Sequence, residues 1–207
     1  VVARLGSVVL GGGEKITLDF NGDGLINLEV NDPAIGASVV NRGLLSANGG
    51  AVAMSARDSQ AMLSNVVNNE GVIEARSLEQ RNGRIILDGG SNGVVVNSGV
   101  LDVSGRNAGE RGGNVTMTGQ YVGLFDSGRI NADGDIGGGT VLMGGDYQGG
   151  GNVHEADSTF VGQDAHISAN ALSSGDGGKV ILWSKDSTQF HGGISDSGAA
   201  SQGRGGL

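Results

Sequence analysis

Short runs of alternating apolar and polar residues recur along this chain at a nearly constant interval. A first phrase begins at positions 41, 69, 97, 126, 163 and 190, so successive copies start 28, 28, 29, 37 and 27 residues apart. The copies read NRGLLSA, NEGVIEA, NSGVLDV, DSGRINA, QDAHISA and FHGGISD. A period of this length is typical of a solenoid, in which each repeat forms one coil that stacks on its neighbours.

Two further phrases complete each period. The second reads GGAVAM, NGRIIL, GGNVTM, GGTVLM and GGKVIL, and a looser third phrase includes NGVVV and YVGLF. Because side chains alternate across a strand, each phrase presents one apolar face and one polar face. The residues predicted to point inward in the first phrase are Leu45, Ala47, Ile73, Ala75, Leu101, Val103, Ile130, Ala132, Ile167 and Ala169. Those in the second phrase are Val52, Met54, Ile85, Leu87, Val115, Met117, Val141, Met143, Val180 and Leu182.

The pattern predicts an all-β fold, a parallel β-helix solenoid with three short strands in each coil of about 28 residues. Strands this short cannot bury an apolar face alone, but stacking on the equivalent strand of the next coil buries it. An antiparallel sandwich is the alternative, since Asn-Gly pairs such as Asn92-Gly93 also favour hairpins. The constant long interval favours the β-helix, because hairpins do not require it. The many glycines are expected to serve corners where φ is positive.

The first 30 residues contain three alternating stretches, SVVL, KITLDF and LINLEV, and are predicted to form an earlier coil of the same helix. Within them, Asp19, Asn21 and Asp23 have the spacing of the first ligands in an EF-hand calcium loop. Position 12 of that loop requires a bidentate Glu, and this chain has Val30 there. The stretch is therefore predicted to be a corner between strands and not an EF-hand.

The longest period contains an insertion over residues 144–160, which is predicted to be a surface loop. Insertions in solenoids form loops on one face, and that face is often the binding face. Tyr147, Gln148, His154 and Glu155 are the candidate binding residues, because an aromatic ring with amide and acidic groups suits a sugar. A glycine-rich loop that holds no ligand is the alternative interpretation.

Composition limits the class of protein. Glycine accounts for 42 of 207 residues, against one proline, and the absence of cysteine excludes disulfides and thiolate metal sites. The net charge of −9 makes nucleic acid an unfavourable partner, because a phosphate backbone repels such a chain. Apolar runs do not reach the length of a membrane span, so no membrane-spanning segment is expected.

No catalytic residue, cofactor or metal site is predicted from the sequence. Glu74 and Asp102 are outward acids one period apart, and in register they would lie at the distance of a retaining glycosidase pair. Alternation favours the interpretation that both are solvated surface acids. His154, His166 and His191 lack the spacing of a metal-binding motif.

Several stretches resemble the filamentous-haemagglutinin type of large bacterial exoprotein. They are NRGLLSANGGAVAMSARDSQAMLSNVVNNEGVIEARSLEQRNGRIILDGG, GVLDVSGRNAGERGGNVTMTG, GGGTVLMGGDYQGGGN and GGKVILWSKDSTQFHGGIS. The resemblance extends over most of the chain, from about residue 2 to residue 197. It implies a long right-handed parallel β-helix that is exported by two-partner secretion, with an outer-membrane transporter as its partner.

The resemblance also implies a function and a location. Residues 1–207 are interpreted as a single β-helix segment of a longer rod, in a protein secreted to the bacterial cell surface. The expected role is a non-catalytic shaft segment of a filamentous adhesin or biofilm matrix protein, whose loops attach to host cells or glycans. A haem-utilisation exoprotein and a polysaccharide-acting enzyme on the same scaffold are the alternatives. The absence of polar end caps predicts end-to-end self-assembly.

Overall fold

Twenty short strands and one 3₁₀ turn make up the regular structure of residues 1–19, 27–59, 65–78, 81–201 and 203–207, which are the residues that the computed structural model describes. The strands are β1 (Ser7–Gly12), β2 (Lys15–Asp19), β3 (Asn27–Asp32), β4 (Val39–Asn41), β5 (Leu44–Ser46), β6 (Ala51–Ala56), β7 (Asn65–Asn69), β8 (Val72–Glu74), β9 (Arg84–Asp88), β10 (Val94–Asn97), β11 (Val100–Asp102), β12 (Asn114–Thr118), β13 (Tyr121–Leu124), β14 (Arg129–Asn131), β15 (Thr140–Met143), β16 (Ser158–Val161), β17 (His166–Ser168), β18 (Lys179–Leu182), β19 (Ser187–Phe190) and β20 (Gly193–Ser195). The 3₁₀ turn is Tyr147–Gly149.

Three parallel sheets of six strands run along the rod. The first sheet has the order β1-β6-β9-β12-β15-β18, the second β4-β7-β10-β13-β16-β19, and the third β5-β8-β11-β14-β17-β20. The chain visits the sheets in turn and makes about five turns of about 29 residues each. The predicted parallel β-helix is confirmed, and the antiparallel sandwich is excluded, because the strand pairs within these sheets are parallel. The right-handed sense of the coil stays a prediction.

The core consists of columns of like residues, one from each coil. In the third sheet, Leu45, Ile73, Leu101, Ile130 and Ile167 stand in register and are buried. The inward residues predicted for the second phrase are likewise buried, except that Val180 and Leu182 of β18 are only partly covered. Because every inward side chain packs between equivalents from the neighbouring coils, a simple alternating pattern is sufficient to build this core.

A column of buried asparagines interrupts the apolar core. Asn41, Asn69 and Asn97 occupy equivalent inward positions at the ends of β4, β7 and β10. Asn41 Nδ2 donates to Asn69 Oδ1 at 2.7 Å, and Asn69 Nδ2 donates to Asn97 Oδ1 at 2.7 Å. Asn97 Nδ2 donates to the carbonyl of Gly99 at 3.2 Å. These amides can be buried because each one hydrogen-bonds to the equivalent asparagine one coil away.

The expectation that glycines mainly supply positive φ is corrected at the entrance to the first sheet. Gly50, Gly83, Gly113, Gly139 and Gly178 stack there, and none of them has a positive φ. A Cβ on four of them would overlap a glycine carbonyl of the preceding coil, as for Gly113 against Gly83, whereas a Cβ on Gly83 would overlap the Ala75 carbonyl of its own coil. Glycine is required at this corner because the coils approach each other closely, and not because the backbone is left-handed.

The prediction that residues 1–30 form a coil is wrong for most of that stretch. Only β1 joins the first sheet, whereas β2 and β3 pair with each other as an antiparallel hairpin outside the coils. Ile16 and Leu28 of the hairpin lie over Gly11 of β1, and β3 also packs against β6. The alternation of apolar and polar residues is the same whether these strands pair as an antiparallel hairpin or as parallel coils, so the sequence pattern could not distinguish the two arrangements. Asn21 and Asp23 of the calcium motif lie outside the described residues, as does the side chain of Asp19.

Candidate functional site

The insertion lies between β15 and β16 and is slightly shorter than the sequence predicts. β16 begins at Ser158, so residues 158–160 belong to the second sheet and the connection covers residues 144–157. It contains the 3₁₀ turn Tyr147–Gly149, which begins after Asp146. Gln148 has a φ of 53°, in the left-handed region that few residues other than glycine adopt. The insertion is therefore a shaped connection with its own tight turn.

An ion pair holds the insertion to the rod. Lys179 Nζ donates to Asp146 Oδ1 at 2.6 Å, and the backbone N–H of Tyr147 donates to the same oxygen at 2.7 Å. The pKa of Asp146 is lowered, first by the hydrogen bond from Lys179 and then by the one from Tyr147, because both favour the charged carboxylate. Lys179 belongs to β18, so this contact joins the insertion to the next coil.

Trp183 provides a second contact between that coil and the insertion. A Cβ on Gly145 would lie 2.9 Å from Cδ1 of Trp183, so the indole ring packs directly on the start of the insertion. Thr159 Oγ1 donates to the backbone carbonyl of Trp183 at 3.0 Å. The indole Nε1 is buried and has no hydrogen-bond acceptor among the described residues.

The four predicted binding residues do not form one cluster. Tyr147 is 54% exposed at the tip of the insertion, and Gln148 Nε2 donates to its hydroxyl at 3.3 Å. The Glu155 carboxylate lies against Gly149, where a Cβ would be 2.9 Å from Glu155 Oε1. His154 lies instead in a cleft on the outer face of the first sheet.

The cleft has a volume of about 400 Å³ and is open to solvent. Its floor includes Ile86 and Thr116, which stand in register on β9 and β12, and Val153 and His154 of the insertion also line it. Arg57 lines it as well and also lines a smaller cleft beside the connection that follows β3. The insertion thus approaches the outer face of a sheet whose other end is covered by the β2–β3 hairpin.

Arg57 and Asp88 form an ion pair at the edge of the cleft, and sequence reasoning missed both. Arg57 Nη2 donates to Asp88 Oδ2 at 2.7 Å. Asp88 Oδ2 also accepts from Ser55 at 3.3 Å, while its Oδ1 accepts from the Gly90 N–H at 2.9 Å and from Thr118 at 3.2 Å. The charges of Arg57 and Asp88 neutralise each other. The Asp88 carboxylate is therefore not free for acid–base chemistry, and the Arg57 guanidinium is not free to bind an anion.

Glu74 and Asp102 stand side by side, as their period predicts. They are register partners on β8 and β11. Arg76 binds both, through Nη2 to Glu74 at 2.9 Å and through Nε to Asp102 at 2.7 Å. The pKa of Arg76 is raised, chiefly by its hydrogen bond to Asp102. Two acids bridged by a guanidinium are a structural ion-pair network, which differs from a pair with room for substrate between them.

The histidines lie on different faces of the rod. His166 stands in β17 on the third sheet, His191 follows β19 on the second, and His154 is in the insertion over the first. In the described part of the chain, groups of three or more His, Cys, Asp or Glu that could hold a metal do not occur. The same residues contain no helix with the length and apolarity needed to cross a membrane.

Comparison with solved structures gives a likeness over nearly the whole chain. The crystal structure of the HMW1 secretion domain from Haemophilus influenzae superimposes with a TM-score of 0.71 and 23% sequence identity. The match covers 99% of this chain and 52% of that one, so the present chain spans about half the length of its structural relative. Comparisons with protein-family models and with curated protein sequences give no match. At this identity the likeness establishes the fold: the chain is a β-solenoid of the type seen in the HMW1 secretion domain.

Proposed function

We propose that this chain is a non-catalytic β-helical segment of a secreted bacterial exoprotein, carried across the outer membrane by a two-partner transporter. In this proposal it forms part of the shaft of a filamentous adhesin at the cell surface. Its insertion and outer faces serve attachment to cells or glycans.

The observation that carries the proposal is the likeness to the HMW1 secretion domain over 99% of the chain. That relative is a secretion domain, which links a rod of this kind to secretion. The parallel coils add a physical reason, since each contacts only its neighbours and can form as soon as the preceding coil is available. A chain that emerges from a transporter can therefore fold progressively outside the cell.

The ion pairs and hydrogen bonds of the acidic side chains support the non-catalytic part of the proposal. Glu74 and Asp102 are both bound by Arg76, and Asp88 is bound by Arg57 and three further donors. A general acid or base must be within reach of a substrate proton and have a free lone pair or proton to exchange. These carboxylates instead link adjacent coils, which is a structural use.

Immunogold electron microscopy of the producing cells, with antibody against this chain, tests the proposal. We expect label along thin rods that leave the cell surface, and we expect deletion of the transporter gene to move the label inside the cell envelope. A strain that carries the deletion together with a plasmid copy of the transporter is the control. Label that stays inside the envelope in the wild-type strain, or that still reaches the surface without the transporter, would overturn the proposal.

A further inference from the structure

The outer face of the second sheet carries a groove that is separate from the insertion and its cleft. The groove has a volume of about 490 Å³. Its floor is apolar and consists of Val94, Val96 and Phe125. Its remaining lining is polar and consists of Asn68, Glu70, Ser98 and Asp126. Volumes of this order are typical of small-molecule sites.

An aromatic stack extends the floor of the groove along the rod. Phe125 and Phe160 stack with ring centroids 5.0 Å apart, and Phe160 is followed by His191 at 5.8 Å. The stack is possible because Gly123, the register partner of Phe160, has no side chain: a Cβ there would overlap the Phe125 ring. Phe125 therefore folds back over the sheet and leaves 37% of its surface exposed.

The polar side of the groove offers acceptors. Among the described residues, the Asp126 carboxylate has no hydrogen-bond or ion-pair partner. Its backbone φ of 51° places it in a tight turn, a conformation that Asp adopts more readily than most residues other than glycine. Asn68 donates to Glu70 Oε1 at 2.9 Å, and its own Oδ1 is buried and so not accessible from the groove. The groove thus combines the unpaired Asp126 carboxylate with an apolar floor.

From these features we propose that the groove binds a linear, neutral hexose oligosaccharide. A hexose has an apolar C–H face that matches the Phe125 ring and hydroxyl donors that match the Asp126 carboxylate. Acidic groups at the rim of a chain with net charge −9 disfavour sulfated or phosphorylated polymers. The row of rings from Phe125 through Phe160 to His191 runs along the rod beyond the groove, which favours a linear chain over a single sugar.

The groove gives a specific site for the glycan attachment proposed above and rests on that part of the proposed function, but it does not depend on the export route or on the insertion. It uses none of the residues Tyr147, Gln148, His154 or Glu155, and a rod that reached the surface by another route would carry it unchanged. The localisation experiment and a binding experiment can therefore fail separately.

Isothermal titration calorimetry of the 207-residue chain with cellohexaose, mannohexaose and maltohexaose tests the proposal. We expect at least one of the three to bind with a dissociation constant of about 1 mM or tighter. Phe125→Leu, which keeps apolar volume but removes the flat ring, and Asp126→Asn, which keeps the shape but removes the charge, should each weaken binding about tenfold or more. A heparin-derived hexasaccharide should not bind.

Leu172→Ala is the matched control, because it removes an exposed apolar side chain that belongs neither to the groove nor to the insertion. It should bind as the wild type does, and thermal unfolding of each variant checks that the coils remain folded. Failure of all three neutral hexasaccharides to bind would overturn the proposal. So would unchanged binding by both groove variants, loss of binding in Leu172→Ala, or preferential binding of the heparin fragment.

Discussion

Asn69 donates a 2.7 Å hydrogen bond from Nδ2 to Oδ1 of Asn97, one coil further along the rod, and both side chains are fully buried. The same amide accepts from Asn41 at 2.7 Å on its other side. A buried amide with partners on both sides fixes the register between coils, because a shift of one residue would leave its polar groups unpaired.

Replacing Asn69 with alanine should destabilise the chain by about 2–4 kcal/mol, because the amides of Asn41 and Asn97 each lose a buried partner. Urea unfolding followed by circular dichroism measures the change. Asn114→Ala is the control, since Asn114 is exposed on β12 and should change stability by no more than about 0.5 kcal/mol. Equal effects of the two substitutions would contradict a stabilising role for the buried asparagines.

Gly113→Ala should prevent or strongly weaken the stacking of the coils. A Cβ at this position would overlap the carbonyl oxygen of Gly83 in the preceding coil, and backbone cannot move aside as the end of a flexible side chain can. We expect a cost above about 3 kcal/mol, seen as loss of soluble folded protein or a large fall in melting temperature. Gly43→Ala is the matched control, because a Cβ there meets no atom within 4 Å. Similar melting temperatures for the two variants would refute the close-approach argument.

Arg76→Ala should destabilise the chain by about 1–2 kcal/mol, because it leaves the buried Asp102 without its partner and beside Glu74 on the next strand. Adding Glu74→Gln should restore part of the loss, since like charges on adjacent strands repel. Arg42→Ala breaks a pair with Glu70 whose side chains are 73% and 40% exposed, and it should cost no more than about 0.5 kcal/mol. Denaturant titration of the wild type and the three variants measures these changes in stability. A double variant less stable than Arg76→Ala would argue against repulsion between Glu74 and Asp102.

The Asp146 carboxyl should titrate below the ordinary aspartate pKa of about 3.9. A carboxyl whose pKa is lowered by folding stabilises the fold above its unfolded pKa, and this contribution disappears as the pH falls through the folded pKa. Since Lys179 is the main cause, Lys179→Met should return the pKa of Asp146 toward its usual range. Carbon-detected NMR titration of the side-chain carboxyl measures this, with Lys185→Met as the control. An Asp146 pKa that is the same in both variants would show that Lys179 does not set it.

The candidate sites were less visible in the sequence than the fold. The insertion was recognisable because it interrupts the period. Alternation does not specify where the side chains of the insertion point, so the sequence could not show that His154 lies apart from Tyr147. Arg57 and Asp88 lie about one coil apart in sequence, and only stacking makes them neighbours. The groove residue Phe125 is the last residue of the phrase YVGLF and follows the end of β13, and its ring reaches the sheet only because Gly123 is small.

The sequence by itself determined the repeat, the three parallel sheets and the inward columns, as in Ile73 on Leu101. It could do so because alternation within a strand and a constant interval between strands are both local features of the chain, and stacking turns them directly into a core. Tertiary structure alone decided the antiparallel pairing of β2 with β3, the burial and hydrogen bonding of the repeated asparagines, and the Phe125–Phe160 stack. Those features depend on which backbone lies beside which, and an alternating pattern is identical for a parallel neighbour, an antiparallel neighbour or an exposed edge.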